Sequence, residues 1–308
     1  MRAKRAGKTK KMKQKRFHKV AVLKGGPSAE REVSLRSGAA VAKGLTDAGY
    51  AVVEIDVKDR ELSFPEDVDA VFVALHGEFG EDGQVQQALE ARGIPYTGSD
   101  PKASRASFDK VISKQIFKAA GVPTPEYEVL RAGALRRLPL PVVVKPPRQG
   151  SSIGVGMVFE ESQWMPALAG SWIYDPEALV ERFVPGRELT VGVVTGEALP
   201  VVEIVMDAGY YDYAAKYTPG GSRHVVPALL SPDVTRQCQA VALQAFHALG
   251  CRGFGRVDIR MTPQGELFVL EMNNIPGFTA TSLLPDAAAA AGISFPDLCM
   301  RIMEAARC

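Results

Sequence analysis

Apolar and polar positions alternate most regularly over Arg256–Asn274. This stretch predicts two strands joined by a turn at Pro263-Gln264-Gly265, with successive side chains on opposite faces. One face carries Val257, Ile259, Met261, Phe268, Leu270 and Met272 and predicts contact with a core. The other carries Arg256, Asp258, Glu271 and Asn273. With the loop centred on Gln264-Gly265, Asp258 faces Glu271 and Arg256 faces Asn273. Opposed carboxylates repel across a ladder, so this face is either simply solvated or built to hold a cation.

Towards the N-terminus the period changes. Val20–Leu23, Val52–Val57 and Ala70–Leu75 are apolar runs of strand length, with helical segments between or after them. That alternation predicts a small α/β domain with a parallel sheet. Its ligand-facing loops would be Gly25–Glu30 and His76–Glu78, at the carboxyl ends of strands. A tight βα turn and a buried, satisfied histidine are the plainer readings of the two. Thr97–Pro101 is a turn cluster and a domain boundary. One helix is expected from Ala103 to Gly121, stopped by Gly121 and Pro123. Strands follow at Pro141–Lys145, after Gly154, and on both sides of Pro185-Gly186. A helix is expected over Asp233–Leu249, and another over the Ala-rich stretch up to Ile293.

Composition adds compartment and charge. The 308 residues are 46% hydrophobic, enough for a sizeable core in two or three modest domains. The four cysteines show no metal-ligand or disulfide spacing and read as reduced thiols of a cytoplasmic protein. No apolar run reaches membrane-spanning length. The net charge of +2 hides an asymmetry, because residues 1–19 hold ten Lys and Arg and no acid. The remainder has 27 basic and 35 acidic residues, a net of −8. A disordered basic extension over residues 1–18, without an apolar h-region, is therefore expected ahead of an acidic body. The acidic body disfavours nucleic acid as a partner.

Two segments have the chemistry of phosphate recognition. Lys145 ends a β-branched strand and is followed by Gly150-Ser151-Ser152-Ile153-Gly154. A point charge beside a loop of small residues suits an anion approached by backbone N–H groups. A flexible hairpin loop is the alternative. Glu181 and Glu188 flank the turn at Pro185-Gly186 and are placed to accept from an adenine amine or ribose hydroxyls, or are simply exposed acids. The tyrosine-rich stretch Tyr210–Gly221, with Lys216 and Tyr217, reads as a functional surface loop.

Taken together, these pieces resemble the D-alanine–D-alanine ligases of the ATP-grasp superfamily. The resemblance is carried by Gly25–Ser34, Leu75-His76-Gly77, Gly80–Gly83, Tyr96-Thr97-Gly98, Val144-Lys145-Pro146 with Gly150-Ser151-Ser152, Tyr211-Asp212-Tyr213 with Lys216-Tyr217, Gly255–Asp258, and Glu271-Met272-Asn273 with Pro276-Gly277. It spans about residues 19–306. Pro27 and Pro147 depart from it mildly, and the basic extension is foreign to it.

The resemblance implies mixed α/β and α+β architecture. An N-terminal parallel α/β (pre-ATP-grasp) domain over 19–100 would precede a two-part ATP-grasp fold, with a central part over 101–188 and a C-terminal part over 189–308. The reaction it implies joins two D-alanines through D-alanyl phosphate, releasing ADP and phosphate, for peptidoglycan synthesis. Asp258, Glu271 and Asn273 would hold two Mg²⁺ ions, with Mn²⁺ a possible substitute. Lys110, Lys145 and Lys216 would meet phosphates. Ser151 and Ser152 would lie on the loop that closes over the γ-phosphate. Glu181, Arg182, Phe183, Val184 and Glu188 would hold adenine and ribose. Glu30 and His76 would receive the first alanine, Arg256 and the Gly277 N–H the oxyanion, and Ser282 and Leu283 the second alanine. Tyr217 would complete a network with Ser151 and Glu30. The implied partners are ATP, D-alanine and a second copy in a homodimer, with no nucleic acid or membrane. A related ligase with other substrates, or a nucleotide-binding protein without catalysis, are the competing readings. The intact metal triad and Arg256 disfavour the second.

Overall fold

The computed structural model describes residues 15–206, 222–279 and 282–308. Strands β1 (Lys19–Gly25), β2 (Ala51–Val57) and β3 (Ala70–Val73) form a parallel sheet in the order β2-β1-β3. Helix α1 (Arg31–Asp47) packs on β1 and β2. All residues of β3 are buried, as a parallel strand covered on both faces requires. The loops after β1 and β3 leave the same edge and touch, where the Ser28 hydroxyl donates to the His76 carbonyl at 2.6 Å. Short helix α2 (Gln84–Glu90) follows.

The single helix expected over Ala103–Gly121 is two helices, α3 (Pro101–Phe108) and α4 (Lys110–Ala119). The break is at Asp109, whose backbone is extended (φ −84°, ψ 104°). Its carboxylate accepts from the N–H groups of Val111 (2.9 Å) and Ile112 (3.2 Å). An aspartate is a strong N-cap, and here capping α4 is favoured over continuing α3.

A four-stranded sheet has the order β4 (Tyr127–Leu130), β7 (Ala178–Arg182), β5 (Val142–Lys145), β6 (Gly156–Val158), backed by α5 (Trp164–Trp172). Its core holds Leu130, Val142, Val144, Val158, Leu168 and Val180. A larger antiparallel sheet has the order β11 (Ser222–Val225), β10 (Val202–Met206), β8 (Arg187–Val194), β12 (Phe254–Met261), β13 (Leu267–Asn273), with β9 (Glu197–Ala198) paired to β8. On one face Val191, Val257 and Ile259 pack with α6 (Pro232–Ala248) and with Ala103 and Phe117 of α3 and α4. At the other, Phe254, Ile275 and Phe278 join the N-terminal core, together with α7 (Leu283–Ala290) and α8 (Phe295–Glu304).

Two further expectations need correction. Residues 15–18 do not belong to a disordered extension. Phe17 is 5% exposed within the N-terminal core, Lys15 Nζ donates to the Ala48 carbonyl (2.6 Å), and Arg16 Nη1 donates to that of Ala306 (2.7 Å). Phe268 and Leu270 do not face the core. Asp258 does oppose Glu271, and Arg256 opposes Asn273, but Ile259 opposes Val269. Leu270 is therefore a bulge residue, and one extra residue exchanges the faces of everything beyond it. Val269 enters the core, while Leu270 turns to the cleft described next.

Candidate active site

The four-stranded sheet and the large sheet enclose a cleft of about 330 Å³, a volume suited to a small ligand. Val143, Met157 and Phe183 line it from one side, Ile204 and Leu270 from the other. Lys110, Lys145, Ser151, Ser152, Glu181, Arg182, Val184, Glu188, Arg256, Asp258, Glu271 and Leu283 also line it. The positions expected to meet nucleotide and metal thus gather in one continuous space. Asn273 joins them through its amide, which donates to Asp258 Oδ2 at 3.0 Å. Lys216 and Tyr217 lie outside the described residues.

At one end the polar groups belong to the turn between the sheets. Arg260 donates to Glu188 (3.1 Å) and to the Val184 carbonyl (3.2 Å), which fixes the turn on β12. The Phe183 ring packs on Phe159 with centroids 5.2 Å apart. Deeper in, Glu181 is 2% exposed, pairs with Lys145 at 2.5 Å, and also pairs with Lys114. Burial alone would raise the Glu181 carboxyl. The two ammonium groups more than offset this and hold it below the ordinary range. Burial lowers the Lys114 ammonium to about 8. Burial also opposes the charge of Lys145, but Glu181, Glu271 and Asp258 keep its ammonium above the usual value. Lys114 was not anticipated. The available signal was helical spacing, since it lies three residues before Phe117 on the buried side of α4.

At the other end lie the opposed carboxylates. Asp258 accepts two hydrogen bonds from Arg256 (2.9 and 2.8 Å) and one from the Thr190 hydroxyl (2.6 Å). Lys110 lies 3.3 Å from Glu271 and donates to the Gln149 carbonyl at 2.7 Å. Cations therefore already face both acids, which answers the repulsion noted in the sequence. Two carboxylates and an amide oxygen are hard donors of the kind Mg²⁺ takes. Among the described residues no group of three His, Cys, Asp or Glu could itself hold a metal. A bound ion would accordingly draw its remaining ligands from water and phosphate oxygens, as Mg²⁺ at phosphate sites usually does.

The serine loop reaches the N-terminal domain, where the Ser151 hydroxyl donates to Glu30. Gly150 packs so close that a Cβ there would lie 2.6 Å from Glu30 Oε2. His76 is 5% exposed, with its ring nitrogens 3.1 Å from the Ile275 carbonyl and 3.0 Å from Ser37 Oγ. Burial would lower its pKa. The neighbouring Glu81, helped by Glu30, carries it above the ordinary value. Both ring nitrogens thus have protein partners, and the ring braces the Ile275–Phe278 loop. The Phe278 N–H donates to the same Ser37 hydroxyl at 3.2 Å. Next along this loop, the Thr279 N–H donates to Ser282 Oγ (2.8 Å), and Gly277 sits against that hydroxyl.

Two antiparallel sheets closing on such a cleft, with the buried Lys145 on one and opposed carboxylates on the other, have the arrangement of the ATP-grasp class of ligases. Comparison with known proteins sharpens this. Residues 116–304 match the model of the D-ala D-ala ligase C-terminus, and residues 57–99 that of the N-terminus. The chain is 50% identical over 293 residues to the D-alanine–D-alanine ligase of Citrifermentans bemidjiense, covering 94% of this chain and 96% of that one. It is 48% identical over 285 residues to the enzyme of Methylacidiphilum infernorum, covering 92% and 94%. The crystal structure of the D-alanine–D-alanine ligase of Bacillus anthracis complexed with ATP superposes with a TM-score of 0.83 at 32% identity, covering 94% of this chain and 96% of that one. The chain belongs to the D-alanine–D-alanine ligase family. The family's reaction is the ATP-dependent ligation of two D-alanines for peptidoglycan synthesis.

Proposed function

We propose that this chain makes D-alanyl-D-alanine in this cleft, with the nucleotide lying from Phe183–Val184 to the serine loop. The observation that carries the proposal is that one cleft runs from the turn between the sheets to Ser151, and Ser151 touches Glu30. Nucleotide and amino-acid subsites would then meet at the serine loop.

In this reading Glu181, Arg182, Phe183, Val184 and Glu188 hold adenine and ribose, while Lys110, Lys145 and Ser152 hold phosphates. Glu30 takes the ammonium of the first D-alanine, and His76 acts through the loop it braces. The carboxylate of that alanine attacks the γ-phosphorus. The bond to the ADP oxygen breaks, leaving D-alanyl phosphate. The serine loop excludes water from this reactive acyl phosphate. The neutral amine of the second D-alanine then attacks the acyl carbon. Arg256 and the Gly277 N–H stabilise the oxyanion, the carbon–oxygen bond to phosphate breaks, the nitrogen gives up a proton, and the phosphate departs with it. Arg256 is already held in place by Asp258. Ser282 and Leu283, at the start of α7, receive the second carboxylate, where a helix N-terminus favours negative charge.

Asp258, Glu271 and Asn273 would hold two Mg²⁺ ions, or Mn²⁺ in their place. When bound, these supply neutralisation of phosphate charge. Lys216 and Tyr217 are assigned by family resemblance alone, as a phosphate contact and a partner of Ser151 and Glu30. A cytoplasmic homodimer is the expected form, and no described helix is long and apolar enough to cross a membrane. Product analysis tests the proposal. D-alanine and ATP should yield D-alanyl-D-alanine with one phosphate per dipeptide, and phosphate release without dipeptide would overturn it.

A further inference from the structure

Lys114 does not line the cleft, and its side chain is fully buried. Its ammonium pairs with Glu181 Oε1 and donates to the Thr124 hydroxyl at 2.6 Å. That hydroxyl in turn donates to the Val269 carbonyl at 2.8 Å. The other oxygen of the same carboxylate pairs with Lys145 at 2.5 Å. One buried carboxylate is thus shared by two ammonium groups, and the trio carries a net charge of +1. The two lysines approach from opposite sides. Lys145 stands at the end of β5 and lines the cleft, whereas Lys114 reaches Glu181 from α4 behind it. Without Lys114, Glu181 and Lys145 would close into a neutral pair, and little net field would remain for an anion in the cleft.

We infer that Lys114 is a positioning residue that neutralises Glu181 from outside the cleft, so that the charge of Lys145 stays available to the nucleotide phosphates. This rests on the proposed nucleotide reading of the cleft. It predicts a split that a purely structural lysine would not produce. Phosphate-bearing nucleotide should feel the loss of Lys114, and the nucleoside alone should not.

The test is calorimetric titration of ADP and of adenosine, in Mg²⁺, into the wild-type protein and its variants. Lys114→Met should weaken ADP about tenfold or more and leave adenosine within about twofold. Lys114→Arg should restore most of the ADP affinity. Lys114→Met combined with Glu181→Gln returns the trio to +1, so its ADP-to-adenosine affinity ratio should recover towards the wild-type ratio. If Lys114→Met does not fold, Lys114→Gln, which also removes the charge, takes its place; in the Glu181→Gln background, where no carboxylate charge is left to neutralise, removing Lys114 should leave the ratio nearly unchanged. Equal losses for ADP and adenosine, an unchanged ADP affinity, or a ratio that falls as far on loss of Lys114 in the Glu181→Gln background as in the wild type would overturn the inference. Failure of the wild-type protein to bind ADP would instead overturn the reading of the cleft itself.

Discussion

Asp109→Ala tests how the fold delivers a lysine to the cleft. The Asp109 side chain accepts from two N–H groups of the first turn of α4, and Arg148 donates to its other oxygen at 3.2 Å. Losing an aspartate N-cap costs about 0.5–2 kcal/mol. The Arg148 side chain is 40% exposed, so its pairing adds only about 0–1 kcal/mol. The sum, about 0.5–3 kcal/mol, corresponds to a fall in melting temperature of roughly 1–10 °C for a protein of this size. The functional effect should exceed the structural one. Lys110 is the first residue of α4, its N–H donates to the Pro147 carbonyl at 3.2 Å, and its ammonium donates to that of Gln149. Fraying that turn frees both Lys110 and the loop it holds. Losing one charged hydrogen bond to phosphate costs about 1.5–3 kcal/mol, so kcat/KM for ATP should fall roughly 10- to 100-fold. Asp109→Asn keeps a good capping acceptor and should retain most of the melting temperature. The assays are thermal unfolding and phosphate release titrated with ATP. Wild-type melting and wild-type KM for ATP in Asp109→Ala would refute the reasoning, as would Asn proving as damaging as Ala.

Three other outcomes are expected. Glu271→Gln should lower ligation at least ~10²-fold with an unchanged circular dichroism spectrum, because an amide lacks the charge needed beside the nucleotide phosphates; near-normal turnover would argue against the metal assignment. Gly150→Ala should raise KM for D-alanine more than KM for ATP, since the added Cβ would lie 2.6 Å from Glu30 Oε2; equal changes in the two constants would count against Glu30 as an amino-acid contact. Deleting residues 1–14 should leave melting and activity near wild type, whereas deleting 1–18 removes buried Phe17 and should destabilise by about 3–5 kcal/mol, the scale of Phe→Ala in a core. Equal melting temperatures for the two truncations would contradict the docking of Phe17.

Much of the fold could be read from the chain because its local signals agree with one another. Alternation along Arg256–Asn274 predicts the pairing of Asp258 with Glu271, and that pairing is present. The apolar runs Val20–Leu23 and Ala70–Leu75 predict parallel strands, and the loops that follow them meet at Ser28 and His76. What could not be read depends on single residues whose effect is not local. A bulge inserts Leu270 opposite nothing and carries no residue signature, so strict alternation points Phe268 and Leu270 to the core although neither faces it. Asp109 inside a helical pattern reads equally as a helix residue or as a cap, and only packing of both helices on the large sheet decides. Lys114 carries no signal of its own, because burial of a lysine depends here on an acid 67 positions away in sequence, Glu181. Phe17 was hidden by the basic residues around it. The roles proposed for Lys216 and Tyr217 rest on family likeness alone.

The most direct test of the central claim is phosphate release from ATP by the full chain in Mg²⁺, with D-alanine or L-alanine as the amino acid and the dipeptide product quantified. Release should depend on D-alanine, saturate with it, and match D-alanyl-D-alanine one to one. Release that is indifferent to D-alanine, or equal with L-alanine, would contradict the claim.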